Sequence, residues 1–158
     1  MKNTLKRSGA ALISLVLLLV LAVSAGAASS QNVGVKFWKE RSDKESMANS
    51  GIDPDRTATL TRQANGTYTL TLPVMQVSKL GVTGYLSGLT IGDVTYDGTL
   101  TGDFNKATAV LTIKNLPASV LTGSDVNKSV LVTCNIQMDL QVLGEINTSA
   151  RMCIWNQK

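Results

Sequence analysis

Beyond residue 30, apolar positions in this chain alternate with polar ones and rarely recur every three or four residues. Alternation at period two marks a half-buried strand, and abundant Thr and Val suit a pleated surface. The pattern predicts eight strands, at 33–39, 57–62, 67–74, 82–91, 95–101, 108–115, 129–142 and 146–155. A polar, irregular stretch at 40–55 separates the first two and holds a short helical turn near Ser46 and Met47. Gly98, Gly102, Asn115-Leu116-Pro117 and Gly123 punctuate the later runs. The class is all-β.

Two hairpins can be placed in register. A loop at Ala64-Asn65-Gly66, with Gly66 left-handed, sets Leu60 opposite Leu70 and Ala58 opposite Leu72. Thr59 and Thr61 then face Thr71 and Thr69, so like meets like on both faces. In the last hairpin, Val130, Val132, Cys134, Ile136, Met138, Leu140 and Val142 form one apolar face. A tight loop at Val142-Leu143-Gly144 would pair Met138 with Thr148, Cys134 with Met152 and Val132 with Ile154. Cys153 then points outward and cannot reach Cys134. The rival Leu143-Gly144 turn sets the two cysteines opposite each other but scrambles the apolar face. Pattern favours two free thiols, whereas an oxidising compartment favours a disulfide.

That compartment is implied by the N-terminus. Lys2, Lys6 and Arg7 precede an apolar run from Ala10 to Val23, and Ala25-Gly26-Ala27 supplies the small residues a signal peptidase needs. Cleavage is expected after Ala27, leaving a single domain at 28–158. If the leader were retained, the domain would be tethered to a membrane. No cysteine stands at the cleavage point for lipid attachment, and the end at Trp155-Asn156-Gln157-Lys158 shows no sorting motif, so a released, secreted product is expected. The leader also carries much of the charge. Three of the 15 Lys+Arg and none of the 11 Asp+Glu lie in it, so the net +4 of the chain falls to +1 in the domain. Scattered basic residues at that balance do not make a nucleic-acid surface.

The absence of histidine removes Ser-His-Asp and Cys-His catalysis and histidine-ligated zinc. Gly84-Tyr85-Leu86-Ser87-Gly88 places its serine one position late for a nucleophile elbow. Asp93, Asp97 and Asp103, like Asp53 and Asp55, sit in turn-rich stretches where Asp ordinarily caps turns. The chain is not expected to be an enzyme.

The order of features resembles a known family. A first strand ending at Lys39 is followed by Ser46-Met47-Ala48, then by the Ala58-Thr59-Leu60 and Asn65-Gly66-Thr67-Tyr68-Thr69-Leu70 hairpin, then by Gly81-Val82-Thr83-Gly84-Tyr85-Leu86. This is similar to the NEAT (near-iron-transporter) domains of Gram-positive surface and secreted proteins. The resemblance implies an immunoglobulin-like β-sandwich of about eight strands with a short helical turn after the first strand. It also implies haem, held between the helical lip and the hairpin of the last two strands. Ser46 and Met47 match the lip, with Met47 over the distal face, and Lys39 stands where a basic residue would meet a propionate. The family ligates iron through the first tyrosine of a Tyr-x-x-x-Tyr motif on that hairpin, and residues 146–155 contain no tyrosine. Met138 and Met152 are the substitute donors, since thioether sulfur is a haem ligand.

Two functions follow. The first is an exported haem-binding module of the NEAT type, taking part in haem and iron capture, with haem or a haem-carrying protein as partner. The second is a secreted non-haem module on the same scaffold, binding a protein or glycan through loops or an edge strand.

Overall fold

In the computed structural model, residues 28–79, 81–139 and 144–158 are described, and the expected leader at 1–27 lies outside them. Among the described residues nine strands form the fold: β1 (Ser29–Lys39), β2 (Ala58–Arg62), β3 (Tyr68–Pro73), β4 (Val77–Lys79), β5 (Val82–Ile91), β6 (Val94–Thr101), β7 (Val110–Leu116), β8 (Val130–Met138) and β9 (Glu145–Asn156). Their order is β4-β5-β6-β7-β3-β2-β1-β9-β8, and every pairing is antiparallel. A further β5–β8 pairing joins the ends, so eight strands close into a barrel and β4 hangs outside the ring on β5.

The all-β class and the short helical turn after the first strand are as expected. The expected β-sandwich of about eight strands is met in part: the strands make a barrel-like sandwich whose order closes, which differs from the immunoglobulin-like arrangement. The reason lies in β5, whose ladder to β8 shifts register between Leu86 and Gly88. The bulge changes which face points inward: Gly84 and Leu86 are buried before it, Leu89 after it. Close backbone approach follows. A Cβ on Gly88 would lie 2.7 Å from the Tyr96 carbonyl oxygen, and one on Gly98 would run into the Leu111 side chain. Bent this way, β5 keeps β8 on one side from Gly84 to Thr90 while its other side passes from β4 to β6, and the strand order closes.

The barrel is filled from all sides by Phe37, Leu60, Leu70, Leu72, Leu89, Leu111, Ile113, Met152 and Ile154, each fully buried. The β2–β3 hairpin has the expected register, Leu60 opposite Leu70 and Thr59 opposite Thr71. Gly66 takes φ +83°, and Asn65 Oδ1 accepts from the Thr67 amide at 3.0 Å. The last hairpin is corrected. Cys134 faces Thr148 and Val130 faces Met152, four residues away from the expected alignment. The physical cause is that β8 leaves β9 early: the Asp139 amide donates to Thr83 of β5, and the Met138 amide closes the turn on the Gly144 carbonyl. A four-residue slip is even, so every side chain keeps its expected face. Leu140 and Val142 lie outside the described residues.

Both cysteines are free thiols and both are buried. Cys153 does point away from the barrel interior, but it is covered; its Sγ lies 3.6 Å from the Asp125 carbonyl, at the start of a 3-10 turn at Val126–Lys128. Among the described residues no helix is long and apolar enough to cross a membrane.

The turn after β1 is a 3-10 helix at Met47–Gly51, here called the lip. The first part of β1, up to Val33, pairs with β2, whereas from Val33 onward it pairs with β9. Phe37 is thereby left without a strand on one side. Asn49 of the lip takes that place: its Oδ1 accepts from the Phe37 amide at 2.8 Å and its Nδ2 donates to the Phe37 carbonyl at 2.7 Å. Ser46 caps the lip, its Oγ accepting from the Ala48 amide at 3.3 Å. The far end is tied down by the Met75 amide on the Gly51 carbonyl at 2.9 Å.

Two stability experiments follow. Asn49→Ala leaves the Phe37 amide unpaired, while the carbonyl still accepts from the Ser46 amide at 3.0 Å, and is expected to lower unfolding stability by about 1–3 kcal/mol in urea titration; an unchanged midpoint would contradict the clamp. Burial pushes the Cys134 thiol from the ordinary 9.0 to about 12. The unfolded thiol ionises first, so this contribution is intact below pH 9 and is lost as pH rises from about 9 towards 12. Between pH 8.5 and pH 10 the wild type should lose up to about 1.4 kcal/mol per pH unit more than Cys134→Val. Parallel pH dependence of the two proteins would refute it.

Candidate functional site

The inner faces of β5, β8 and β9 continue past the filled core towards the lip, and there they are not covered by an opposing strand of the ring. The lip and the three-residue β4 stand over them instead. The result is a cleft of about 290 Å³. Its walls are Val82, Gly84 and Leu86 from β5, Ile136 and Met138 from β8, Ile146 and Thr148 from β9, with Val77 from β4 and Met47, Ala48 and Gly51 from the lip. None of these is charged. Met47 and Ile146, at 57% and 43% exposure, are the most open apolar side chains of this set.

Gly84 explains how Met138 fits. The two are cross-strand partners, and a Cβ on Gly84 would lie 2.8 Å from Met138 Sδ and 3.0 Å from the Gln137 carbonyl oxygen. The thioether therefore occupies the space that a side chain at 84 would fill. Tyr85 also borders the cleft, but its ring is packed on Phe104, with centroids 5.2 Å apart. Its neighbours Gly84 and Leu86 are the buried positions, so the tyrosine projects from the other face of the strand.

The expected site residues separate into two groups. Met47 and Met138 meet at the cleft, and Ser46, 7% exposed, supports the lip through its cap. Met152 lies instead in the filled barrel, opposite Phe37 on one side and Val130 on the other. Lys39 is exposed at the end of β1, outside the cleft lining, where its carbonyl accepts from Arg151 Nε at 3.2 Å. Lys36, on the same strand, is paired with Glu45 and lies 4.6 Å from the centre of the Trp38 ring.

Sequence reasoning missed Asn49, Gly84, Ile136, Ile146 and Thr148. The apolar face of β8 was visible, but its partners on β9 depended on a register that the apolar pattern alone did not fix. Asn49 carried no signal, since an amide in a polar stretch looks like any loop residue.

The carboxylate clusters act as turn caps: Asp103 Oδ1 accepts from the Asn105 amide at 2.9 Å, and Asp53 Oδ1 from the Asp55 amide at 3.0 Å. Among the described residues no three His, Cys, Asp or Glu converge as a metal site. A larger depression of about 640 Å³ flanks the β2–β3 hairpin. It is a polar surface groove bordered by Gln63, Asn65, Lys114 and Asn115, without the enclosing apolar walls of the cleft.

No protein-family model matches the chain, and no curated protein matches it. Solved structures do. One is the NEAT5 domain of IsdX2, a B. anthracis hemophore, in complex with haem; another is a single-residue mutant of that domain, also with haem. Each is 11% identical, covers 83% of this chain and 98% of its own, and superposes with a TM-score of 0.53. The chain has the fold of a NEAT domain.

Proposed function

We propose that this chain is an exported haem-binding module of the NEAT type, which takes haem into the cleft between the lip and the terminal hairpin. The observation that carries the proposal is the cleft itself. It is uncharged, predominantly apolar, and set between a Ser-Met lip and the last two strands, where the family resemblance expects haem. The solved neighbours, described as haem complexes, support the same reading.

The residues present suit the group in shape. Ligand pockets commonly run from about 300 to 1,000 Å³, so a cleft of 290 Å³ suits a flat ligand inserted by one edge. Val82, Leu86, Ile136 and Ile146 would pack on the macrocycle, and the Ser46 cap would hold Met47 across its face. When bound, haem supplies the iron that makes the module a carrier. The thioethers of Met47 and Met138 are the soft donors facing it, since Cys134 and Cys153 are not in the lining. Released from its leader, the domain would act outside the cell, receiving haem directly or from a haem-carrying protein.

One observation favours the second reading, a secreted non-haem interaction module. Ile146 and Thr148 occupy the cleft-facing positions of β9, and neither offers a phenolate. The same walls would then receive an apolar side chain from a protein partner. Haemin titration of residues 28–158, which include every strand, separates the two. One saturable equivalent with a shifted Soret band is expected. Met47→Ala/Met138→Ala should weaken it at least roughly tenfold, about 1.4 kcal/mol. A response no greater than that of an unrelated β-sandwich protein would overturn the haem reading.

A further inference from the structure

We infer that the cleft is redox-selective: Met138, seated over Gly84, makes it hold ferrous haem more tightly than ferric haem. This rests on the haem reading above. Two independent features of the cleft lead to it.

The first is donor chemistry. The lining holds two thioethers and one hydroxyl, Thr148, besides Tyr85, whose ring is committed to Phe104. No histidine exists in the chain, and the buried thiols lie elsewhere. Thioether sulfur is a soft, neutral ligand that favours the lower oxidation state of a metal and raises haem potentials. A phenolate does the opposite, because its negative charge compensates the extra positive charge of ferric iron.

The second is charge burial. The porphyrin core carries two negative charges, so ferrous haem is neutral at its centre and ferric haem is net positive there. The cleft offers no carboxylate or other anion to offset that charge, since none of its lining residues is charged. Enclosing an uncompensated charge among apolar side chains is costly. Both features push in one direction.

Gly84 is the positioning residue. Its missing side chain leaves the space in which Met138 Sδ sits, and its own backbone is held in the β5–β8 ladder. Added bulk at 84 would meet the sulfur at 2.8 Å and turn it away, while leaving the wall apolar.

The test is a pair of haem titrations of residues 28–158, one with haemin in air and one anaerobic with dithionite, together with spectroelectrochemistry of the complex. Ferrous haem should bind at least roughly tenfold more tightly, which raises the bound one-electron potential about 59 mV above that of free haem in the same buffer. Met138→Leu keeps the volume and Gly84→Ala displaces the sulfur. Each should weaken ferrous binding at least roughly tenfold more than it weakens ferric binding, so that the ferrous advantage and the potential shift are lost. Met138→Leu alone suffices if Gly84→Ala fails to fold. Saturable binding with equal affinity in both states would overturn this inference and leave the haem reading standing. A ferrous preference that survives in Met138→Leu would overturn the role of Met138. Saturable binding in neither state would overturn both proposals.

Discussion

The structure depends on β1 changing partners along its length. Up to Val33 it bonds β2 and closes one side of the barrel; thereafter it bonds β9 and leaves the β2 side vacant. An unpaired backbone at Phe37, a fully buried residue, would carry a desolvation cost without compensation. The Asn49 carboxamide stands in for that strand with one donor and one acceptor, and the Ser46 amide donates to the same Phe37 carbonyl at 3.0 Å. That substitution sets the lip beside the barrel end, and the lip in turn walls the cleft. Core, closure and cleft thus share one constraint.

Strand identity was legible because alternation is a local property. The β2–β3 register was legible as well: Asn65-Gly66 fixes the loop, and Thr-on-Thr with Leu-on-Leu leaves one consistent alignment. The β8–β9 register was not. Its apolar faces match in any even alignment, so Cys134 can face Thr148 as well as Met152 without exposing anything. What decides is the Asp139 bond to Thr83, a contact between residues far apart in sequence that no periodicity reports. The misplacement of Met152 followed directly. It keeps its expected face, but the alignment puts it in the filled part of the barrel rather than at the mouth.

Barrel closure was hidden for the same reason. The β5–β8 ladder joins Thr90 to Thr133 and Gly84 to Met138, pairings that a single sequence cannot distinguish from open sheet edges. Gly98 was visible as punctuation, whereas Gly88 lay unmarked inside the predicted 82–91 strand, and both act as the close approaches that let β5 bend. In the fold they are the reason that a ten-residue strand serves β4, β6 and β8 at once.

The cleft is an extension of the core that the ring does not cover. The same inner faces carry Leu89, Cys134 and Ile154 in the closed part, then Leu86, Ile136 and Ile146 where only the lip and β4 stand opposite. Apolar walls at the mouth thus come from continuing the core pattern, and they do not depend on any tyrosine of β9. Ile146 and Thr148 hold the cleft-facing positions of β9, so the walls are complete without an aromatic ring there. Shape and chemistry are therefore separable in this fold: the barrel fixes an apolar slot, and under the haem reading proposed above the sulfurs of Met47 and Met138 would be the donors inside it.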